Sequence, residues 1–488
     1  MKIRELIFDE EYVECEADRD AEISKIVTDP LATEAGSLLI IPNISRLTSP
    51  IKFETPPIAV ICDHTKNIPP EVPRIIPKNP RAAVANAFHR FYHLNEPRLK
   101  TIAITGTNGK TSTAHFVKAI LEYTGNKVGY IGTGAIEIGN LRLNEENYSM
   151  TTPDPEILYK VLRRMDDEGC RFAVMEVSSH ALALDKVAPL YFDYGIFTNL
   201  SSEHGDFHKT LDDYFDAKCK LFSKCRTAVF NIDDPYARRA LEISKAKKNI
   251  TVGVLQGGDI YLTNVENKGD KGTSYLYRTK NFMFRMNVSI PGIYNVYNSM
   301  LAAAVCIDIG YPPYMVKEAI GNLASIPGRF EIIKGDVTVI IDFAHTEVAL
   351  ECFLRDAKRI SENRKLTVVF GCGGERDKEK RPKMASIAER YADKIFVTTD
   401  NSRSECPTKI ICDITKGFTK SNYKINYDRK AAITEAILSA SKGDVIAIIG
   451  KGAEKYIIDK NGYHAFDEKE IVAKALEKRK ARVKCESN

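Results

Sequence analysis

No run in this chain approaches the roughly 18–20 consecutive apolar residues that a bilayer span requires. The first twenty residues, MKIRELIFDEEYVECEADRD, alternate charge with isolated apolar residues and hold no apolar stretch of the signal-peptide kind, so a cytoplasmic location is expected. A strong excess of one charge is also missing. Seventy basic residues against 65 acidic ones leave a formal net charge of +5, which gives no argument for nucleic acid or a membrane surface as partner. The 11 cysteines are odd in number and scattered, without a Cys-x-x-Cys pair or zinc-like spacing, so neither a disulfide framework nor a structural metal is indicated. Repeats and low-complexity tracts are absent. The basic end, Lys474–Lys484, reads as the solvated face of a terminal helix.

What is present is a chain of globular composition, 44% hydrophobic and 28% charged, which rules against disorder. Its 488 residues exceed what one core supports, so two to four domains of roughly 100–200 residues are expected. Residues 1–97 hold short apolar runs, SLLIIP and IAVICD, between proline-rich turns, then an alanine-rich helical pattern, AAVANAFHRFYHL; this predicts a small mixed α/β domain. Across 98–322, strand-like runs (TIAIT, FAVMEV, DYGIFT, TAVFN) recur between helical patterns, which predicts an α/β domain with a mainly parallel sheet. A second such series, VTVIIDFA, LTVVFGCGG, KIFVTTD and DVIAIIGKG, predicts a Rossmann-like α/β domain over 323–488. In each run the polar or glycine residues come last, where open α/β sheets bind their ligands, so the two larger domains are expected to face a shared cleft.

The segment Thr101–Ser112, TIAITGTNGKTS, carries the most chemistry. Gly106 and Gly109 let backbone N–H groups approach an anion, the Lys110 ammonium can neutralise phosphate charge, and the hydroxyls of Thr111 and Ser112 can hold magnesium. The usual P-loop spacing is not met, because Ile104 stands where the first glycine belongs, and an ordinary strand-to-helix turn is the bland alternative. Four polar clusters follow. Thr151-Thr152-Pro153-Asp154 could reach a phosphate or metal, or simply cap a helix. Met175–His180 follows an apolar strand and offers the Glu176 carboxylate to Mg²⁺ and the Ser178 hydroxyl to phosphate or substrate. Glu203–His208 has two histidines four apart, His204 and His208, but no further ligand that would make zinc plausible. In Tyr214–Phe222, YFDAKCKLF, Lys218 lies among aromatic and apolar neighbours; alone it would read as a snorkelling surface lysine.

Together these clusters resemble the Mur ligases, ATP-dependent amide-forming enzymes of peptidoglycan synthesis, and most closely the MurE type that adds the third residue of the stem peptide. The resemblance runs from about Lys100 to Tyr456. TGTNGKT (Thr105–Thr111) resembles the family's ATP loop, and TTPD (Thr151–Asp154) and MEVSSHAL (Met175–Leu182) follow in the family's order. FTNLSSEHGDFH (Phe197–His208) is similar to its metal and substrate loop, AKCKLF (Ala217–Phe222) to its carbamylated-lysine segment, PGIYNVYN (Pro291–Asn298) to its adenine-side motif and IPGRFE (Ile326–Glu331) to its linker arginine. DFAHT, GCGGERDKEKRPKM, TTDNSRSE and GKGAEKY complete the series.

The resemblance implies ATP and two Mg²⁺ ions as cofactors, small-molecule substrates (a UDP-sugar peptide and an amino acid) and a monomer. Gly106, Thr107, Asn108, Gly109, Lys110, Thr111 and Ser112 would hold the phosphates, and Asn295, Asn298, Arg329 and Asp342 the rest of the nucleotide. Thr111 and Glu176 would bind one magnesium, His204 and an N6-carboxylated Lys218 the second; Lys110, Glu176, His204 and Lys218 form the catalytic set. Thr151, Thr152, Ser178 and Lys186 would contact the acceptor, and Arg376, Asp400, Asn401, Arg403, Gly450 and Glu454 the amino acid. Arg403 stands where the diaminopimelate-adding type has an arginine able to fork onto a distal carboxylate. The implied product is UDP-N-acetylmuramoyl tripeptide, with residues 1–97 binding the acceptor.

This chain departs from the family pattern on the acceptor side. Leu184 and Lys186 replace a glutamine and an arginine, Thr28-Asp29-Pro30 is nearest to the missing DSR motif, Glu347-Val348 follows DFAHT, Ala453 replaces a histidine, and Ser402 a proline. Two other readings therefore stand beside the first: a paralogue acting on another carboxylate, and an inactive nucleotide-binding protein.

Overall fold

The computed structural model describes residues 1–7, 11–41, 49–94, 98–143, 150–201, 207–255 and 257–486. Its strands form three large sheets, met in chain order, and a hairpin of Tyr456–Asp459 with Gly462–Ala465. Among the described residues no helix is long and apolar enough to cross a membrane.

In the first sheet Lys25–Val27, Ser37–Ile41, Ala59–Cys62 and Arg74–Pro77 run parallel, with Tyr12–Cys15 added antiparallel at the edge. The helix Pro80–Phe91 follows, started by Asn79, whose side chain accepts from the Ala82 amide, and by proline at the first turn. Its Val84, Ala87 and Phe88 join one buried cluster with Leu38 and Ile61 behind them and Tyr159 and Leu162 ahead, so the first and central sheets share a core.

The central sheet has eleven described strands, of which the middle seven are parallel. Lys100–Thr105 sits between Phe172–Glu176 and Phe192–Phe197, and burial on both faces explains why these runs are mostly apolar. Antiparallel wings extend the sheet: Ala135–Ile138 at one end, Thr273–Thr279 and Met283–Val288 at the other. The sequence reading missed these wings because their strands, AIEI, TSYLYRT and MFRMNV, mix polar with apolar residues and lack a continuous apolar run.

The third sheet runs Glu331–Lys334, Thr338–Asp342, Val445–Ile449, Leu366–Phe370, Lys394–Val397, Tyr423–Ile425, all parallel except the first. Val445–Ile449, late in the chain, is inserted between strands that precede it. The turns after Asp342, Ile449, Phe370 and Val397 therefore line one carboxyl edge.

The basic terminus is not uniformly solvated, as the sequence suggested. In the helix Glu468–Glu486, Val472 and Ala475 are buried, and Arg479 is tucked in to donate to Asp336 Oδ2 at 2.6 Å and Ile437 O at 3.0 Å. Beside it lies a fully enclosed ion pair: Arg429 Nε donates to Glu468 Oε1 at 2.7 Å, and the remaining guanidinium nitrogens hold Thr399 O and Ile449 O. Removing one partner of such a pair strands a buried charge. Arg429→Met should cost about 3–5 kcal/mol, read as a lower urea midpoint, and adding Glu468→Leu should recover much of it.

Candidate active site

Strand Lys100–Thr105 ends at Gly106 (φ +142°), and Gly109 (φ +86°) opens the helix Lys110–Tyr123. Neither glycine has room for a Cβ, which would lie 1.9 Å from Thr198 Oγ1 at Gly106 and 2.5 Å from Asn298 Oδ1 at Gly109. The loop is braced from the next strand: Thr107 N donates to Asn199 O at 2.8 Å, Asn108 N to Asn199 Oδ1 at 3.0 Å, and Thr198 Oγ1 to Asn108 O at 2.7 Å. Lys110 Nζ folds over the loop onto Gly106 O at 2.9 Å and Thr107 O at 2.8 Å. Ser112 is buried in the first turn of that helix.

Lys218 reaches the same carbonyl. It lies near the end of the helix Leu211–Cys219, 1% exposed, with Nζ 3.0 Å from Gly106 O and 4.4 Å from the Tyr214 ring centre. Burial removes the snorkelling alternative. His204 lies outside the described residues. His208 is described and faces Ser179 Oγ at 3.0 Å.

Glu176 ends its strand fully buried, its carboxylate accepting from Tyr130, from Thr133 N at 3.1 Å and from Thr133 Oγ1 at 3.1 Å. Thr151 joins through Thr133 Oγ1 at 3.2 Å. Thr152 Oγ1 donates to Glu176 O at 2.9 Å and accepts from Ser178 N at 3.0 Å, and Ser178 caps the short helix that follows. Asp154 is the first residue before the helix Pro155–Asp167, but its side chain makes no cap; it pairs with Lys186 at 2.7 Å.

Across the loop from Gly109, Asn295 and Asn298 are buried and 3.4 Å apart, and Asn298 Oδ1 accepts from Thr113 at 3.2 Å. Arg329 Nη2 donates to Thr111 Oγ1 at 2.9 Å and its guanidinium lies 4.3 Å from the Phe343 ring centre. Asp342 turns its carboxylate onto two backbone amides, Phe330 N and Ala344 N, each at 2.7 Å.

At the carboxyl edge of the third sheet, Arg403 (φ +52°) anchors one nitrogen on Gly374 O at 2.8 Å. Burial, then the nearby Arg376, pull its pKa below the ordinary value; two guanidiniums held together are a receptor for an anion. A Cβ at Gly450 (φ +118°) would lie 2.8 Å from Asp400 Oδ2, so the glycine is needed there. Asn401 donates to Glu454 at 3.0 Å. Burial opposes the Asp400 carboxylate, but Lys451 and then Arg429 outweigh it and hold its pKa below the usual range.

Lys451 was passed over in the sequence although it sits in the quoted GKG. Wholly buried, it binds Asn401 Oδ1 at 3.0 Å and Glu454 Oε2 at 2.9 Å and so ties two loops of the pocket together. A Gly-Lys pair after an apolar strand, as at Gly109-Lys110, was the available signal. Arg381 was missed too: 0% exposed, it clamps Glu405, Asp413 and Gly373 O.

Fold and site are those of a phosphate-binding α/β protein with a second pocket on its third sheet. The model for the Mur ligase middle domain matches residues 104–306, and that for the Mur ligase glutamate ligase domain residues 328–452. UDP-N-acetylmuramoyl-L-alanyl-D-glutamate–2,6-diaminopimelate ligase 1 of Clostridium acetobutylicum is 39% identical over 86% of each chain. The Bacillus velezensis enzyme named as such a ligase is 40% identical over 84% of this chain and 85% of its own. A solved diaminopimelate ligase structure superposes with a TM-score of 0.67 at 25% identity, covering 98% of this chain and 99% of that one. Folylpolyglutamate synthase of Mycobacterium tuberculosis shares the fold, with a TM-score of 0.63 at 16% identity over 76% of this chain and 92% of its own. The chain belongs to the Mur ligase family, whose members are ATP- and magnesium-dependent ligases.

The Arg381–Glu405 pair sets an acid limit on the pocket's frame. Side-chain hydrogen bonds from Arg381 hold Glu405 down to about 2, below an unfolded glutamate near about 4.3. A depressed carboxylate stabilises fully above the unfolded value and loses that contribution as pH falls toward the folded one. Between about pH 4.3 and 2 the wild type should lose stability more steeply than Glu405→Gln, as followed by circular dichroism during urea unfolding at each pH.

Proposed function

We propose that this chain joins a diamino diacid, meso-diaminopimelate or a close analogue, to the carboxylate of UDP-N-acetylmuramoyl-L-alanyl-D-glutamate at the expense of ATP. Residues 1–97 take the acceptor, 98–322 the ATP and 323–488 the amino acid. This reading is carried by one observation: two guanidiniums, Arg376 and Arg403, share an edge with two carboxylates, Asp400 and Glu454. The far end of a diamino diacid has one group for each.

The residues fit ATP and magnesium. The glycine turn sets the N-terminus of the helix Lys110–Tyr123 at the strand end, where its first backbone N–H groups can meet phosphate oxygens. Thr111 and Glu176 are oxygen donors, which magnesium prefers, and it commonly takes only one or two carboxylates beside substrate phosphates. Among the described residues no cluster of three or more acidic, His or Cys side chains competes for it. When bound, the ion supplies charge neutralisation between the β- and γ-phosphates.

Lys110 neutralises the γ-phosphate and, with the loop amides, holds it in line while an acceptor carboxylate oxygen attacks phosphorus and ADP leaves. Arg403 and Arg376 hold the distal carboxylate of the amino acid, so that its amine reaches the acyl phosphate carbon. The amine nitrogen bonds to carbon, a tetrahedral intermediate forms, and its collapse breaks the carbon–oxygen bond to phosphate, which leaves as inorganic phosphate carrying the proton lost by the nitrogen. Lys218 acts as a carbamate beside the acceptor carboxylate. Carbamylation leaves one N–H on Nζ, enough to keep the bond to Gly106 O, and would turn a repelling cation into an anion able to hold a second magnesium ion.

A different carboxylate acceptor is the second reading, favoured by one observation: Lys186, where the family has an arginine, is already paired with Asp154 at 2.7 Å, and Leu184 beside it is apolar. Calorimetric titration decides between them. Binding of the UDP-linked dipeptide supports the first; no binding with ATP binding intact supports the second.

Three variants test the chemistry by phosphate release. Lys110→Ala should lose roughly a hundredfold or more in rate, as removal of a fixed charge from a transition state does. Lys218→Ala should be nearly inactive and partly restored by small carboxylates; normal activity without them would remove the carbamate. Arg403→Ala should cut use of diaminopimelate by about tenfold to a hundredfold with ATP binding unchanged, the loss expected for a charged hydrogen-bonding group. Better use of lysine than of diaminopimelate by the wild type would reject the assignment.

A further inference from the structure

We propose, resting on the reading of Glu176 as a magnesium ligand, that Tyr130 is a positioning residue: with Thr133 it clamps the Glu176 carboxylate so that a single oxygen, Oε2, faces the cation. Tyr130 lies in the strand Val128–Gly132, which pairs in parallel with Phe172–Glu176 so that Tyr130 sits opposite Val174 and Ile131 opposite Met175. Side chains alternate along a strand, so Tyr130 and Gly132 share a face with Val174 and Glu176. On that face Tyr130 Oη donates to Glu176 Oε1 at 2.7 Å. The Thr133 amide donates to the same oxygen at 3.1 Å, and the Thr133 hydroxyl to Oε2 at 3.1 Å.

A carboxylate offers about four lone-pair sites, two on each oxygen. Tyr130 and the Thr133 amide take both on Oε1, and the Thr133 hydroxyl takes one on Oε2. One site, on Oε2, is left for a cation, so coordination is through one oxygen only. Magnesium, small and bound to near-ideal octahedral geometry, suits one oxygen better than a chelating pair.

Tyr130 is itself immobilised. It is 1% exposed, and its ring centre lies 4.8 Å from that of His115 on the helix behind the phosphate loop. Gly132 leaves the gap in which the two oxygens meet: a Cβ there would lie 2.0 Å from Tyr130 Oη and 2.3 Å from Glu176 Oε1. The four residues Tyr130–Thr133 thus supply a phenol, a gap, an amide and a hydroxyl to one carboxylate. A phenylalanine would keep the packing and free one site on Oε1, letting the carboxylate turn or chelate.

The test uses the full chain with Mn²⁺, visible by electron paramagnetic resonance, and a non-hydrolysable ATP analogue. Partners behind a metal ligand are typically worth about 10–100-fold in affinity. Tyr130→Phe should therefore bind Mn²⁺ about 10–100-fold more weakly in the nucleotide complex, while metal-free analogue binding stays within about twofold. The magnesium concentration for half-maximal ligase rate should rise by the same factor. A phenol that served packing alone would lower the unfolding temperature and leave the Mn²⁺ affinity where it was; that result overturns the proposal. Glu176→Gln separates the two layers. If it keeps wild-type Mn²⁺ affinity, the reading of Glu176 fails; if it loses affinity and Tyr130→Phe does not, only the clamp fails. Should Tyr130→Phe prove too unstable to assay, Thr133→Val removes the hydroxyl on Oε2, and wild-type Mn²⁺ affinity in that variant equally overturns the clamp.

Discussion

Two ammonium groups meet on one carbonyl: Lys110 and Lys218 both donate to Gly106 O, at 2.9 and 3.0 Å. A carbonyl has two acceptor sites, and both are used. The arrangement is possible because Gly106, in a conformation that side chains resist, turns that oxygen off the end of the central strand toward two helices. On the proposed mechanism that one oxygen places both groups: Lys110 as the cation that meets phosphate, and Lys218 as the carbamate beside the acceptor carboxylate.

The second pocket is held by buried cations of a different kind. Arg429 gathers Thr399 O and Ile449 O, the backbone just before Asp400 and Gly450; Arg381 gathers Gly373 O and Glu405, and Lys451 joins Asn401 to Glu454. Each ties together turns that follow different strands. Buried ion pairs add little net stability compared with apolar packing, so their use here is better explained by register. Loops at a sheet edge have no ladder to fix them, and a guanidinium with five donors in a fixed fork can set several carbonyls at once. Arg403, half-buried and anchored on Gly374 O, and the exposed Arg376 lie at the edge of that frame.

Much of this was legible in the sequence. The apolar runs ending in glycine or polar residues are the strands of the three sheets, because buried parallel strands need continuous apolar runs and their carboxyl ends need turns. Lys110 and Glu176 could be singled out because phosphate and metal chemistry restricts residue type within a few positions of a strand end, whereas Lys218, on a helix, stood out only through the family resemblance. What stayed hidden has physical reasons. The antiparallel wings carry no continuous apolar run, and Arg479 lies in a stretch that reads as a solvated helix face, because burial of a cation depends on a partner 143 positions away in sequence. Tyr130 carried no signal either: in a strand a tyrosine reads as core, and only register reveals what its hydroxyl meets.

The link between the two pockets runs through Arg329. Its guanidinium sits over the Phe343 ring and donates to Thr111 Oγ1, while the neighbouring Asp342 carboxylate fixes the backbone on either side by accepting from Phe330 and Ala344. Arg329 and Phe343 flank the first strands of the third sheet, whereas Thr111 follows the phosphate loop. A threonine hydroxyl has two acceptor sites, and Arg329 occupies one. The other is enough for a magnesium ion, so the metal and the arginine need not compete. On the proposed mechanism the third sheet can therefore stay attached to the nucleotide site throughout phosphoryl transfer. Its amino-acid pocket then faces the acyl phosphate as soon as it forms, before water can reach it.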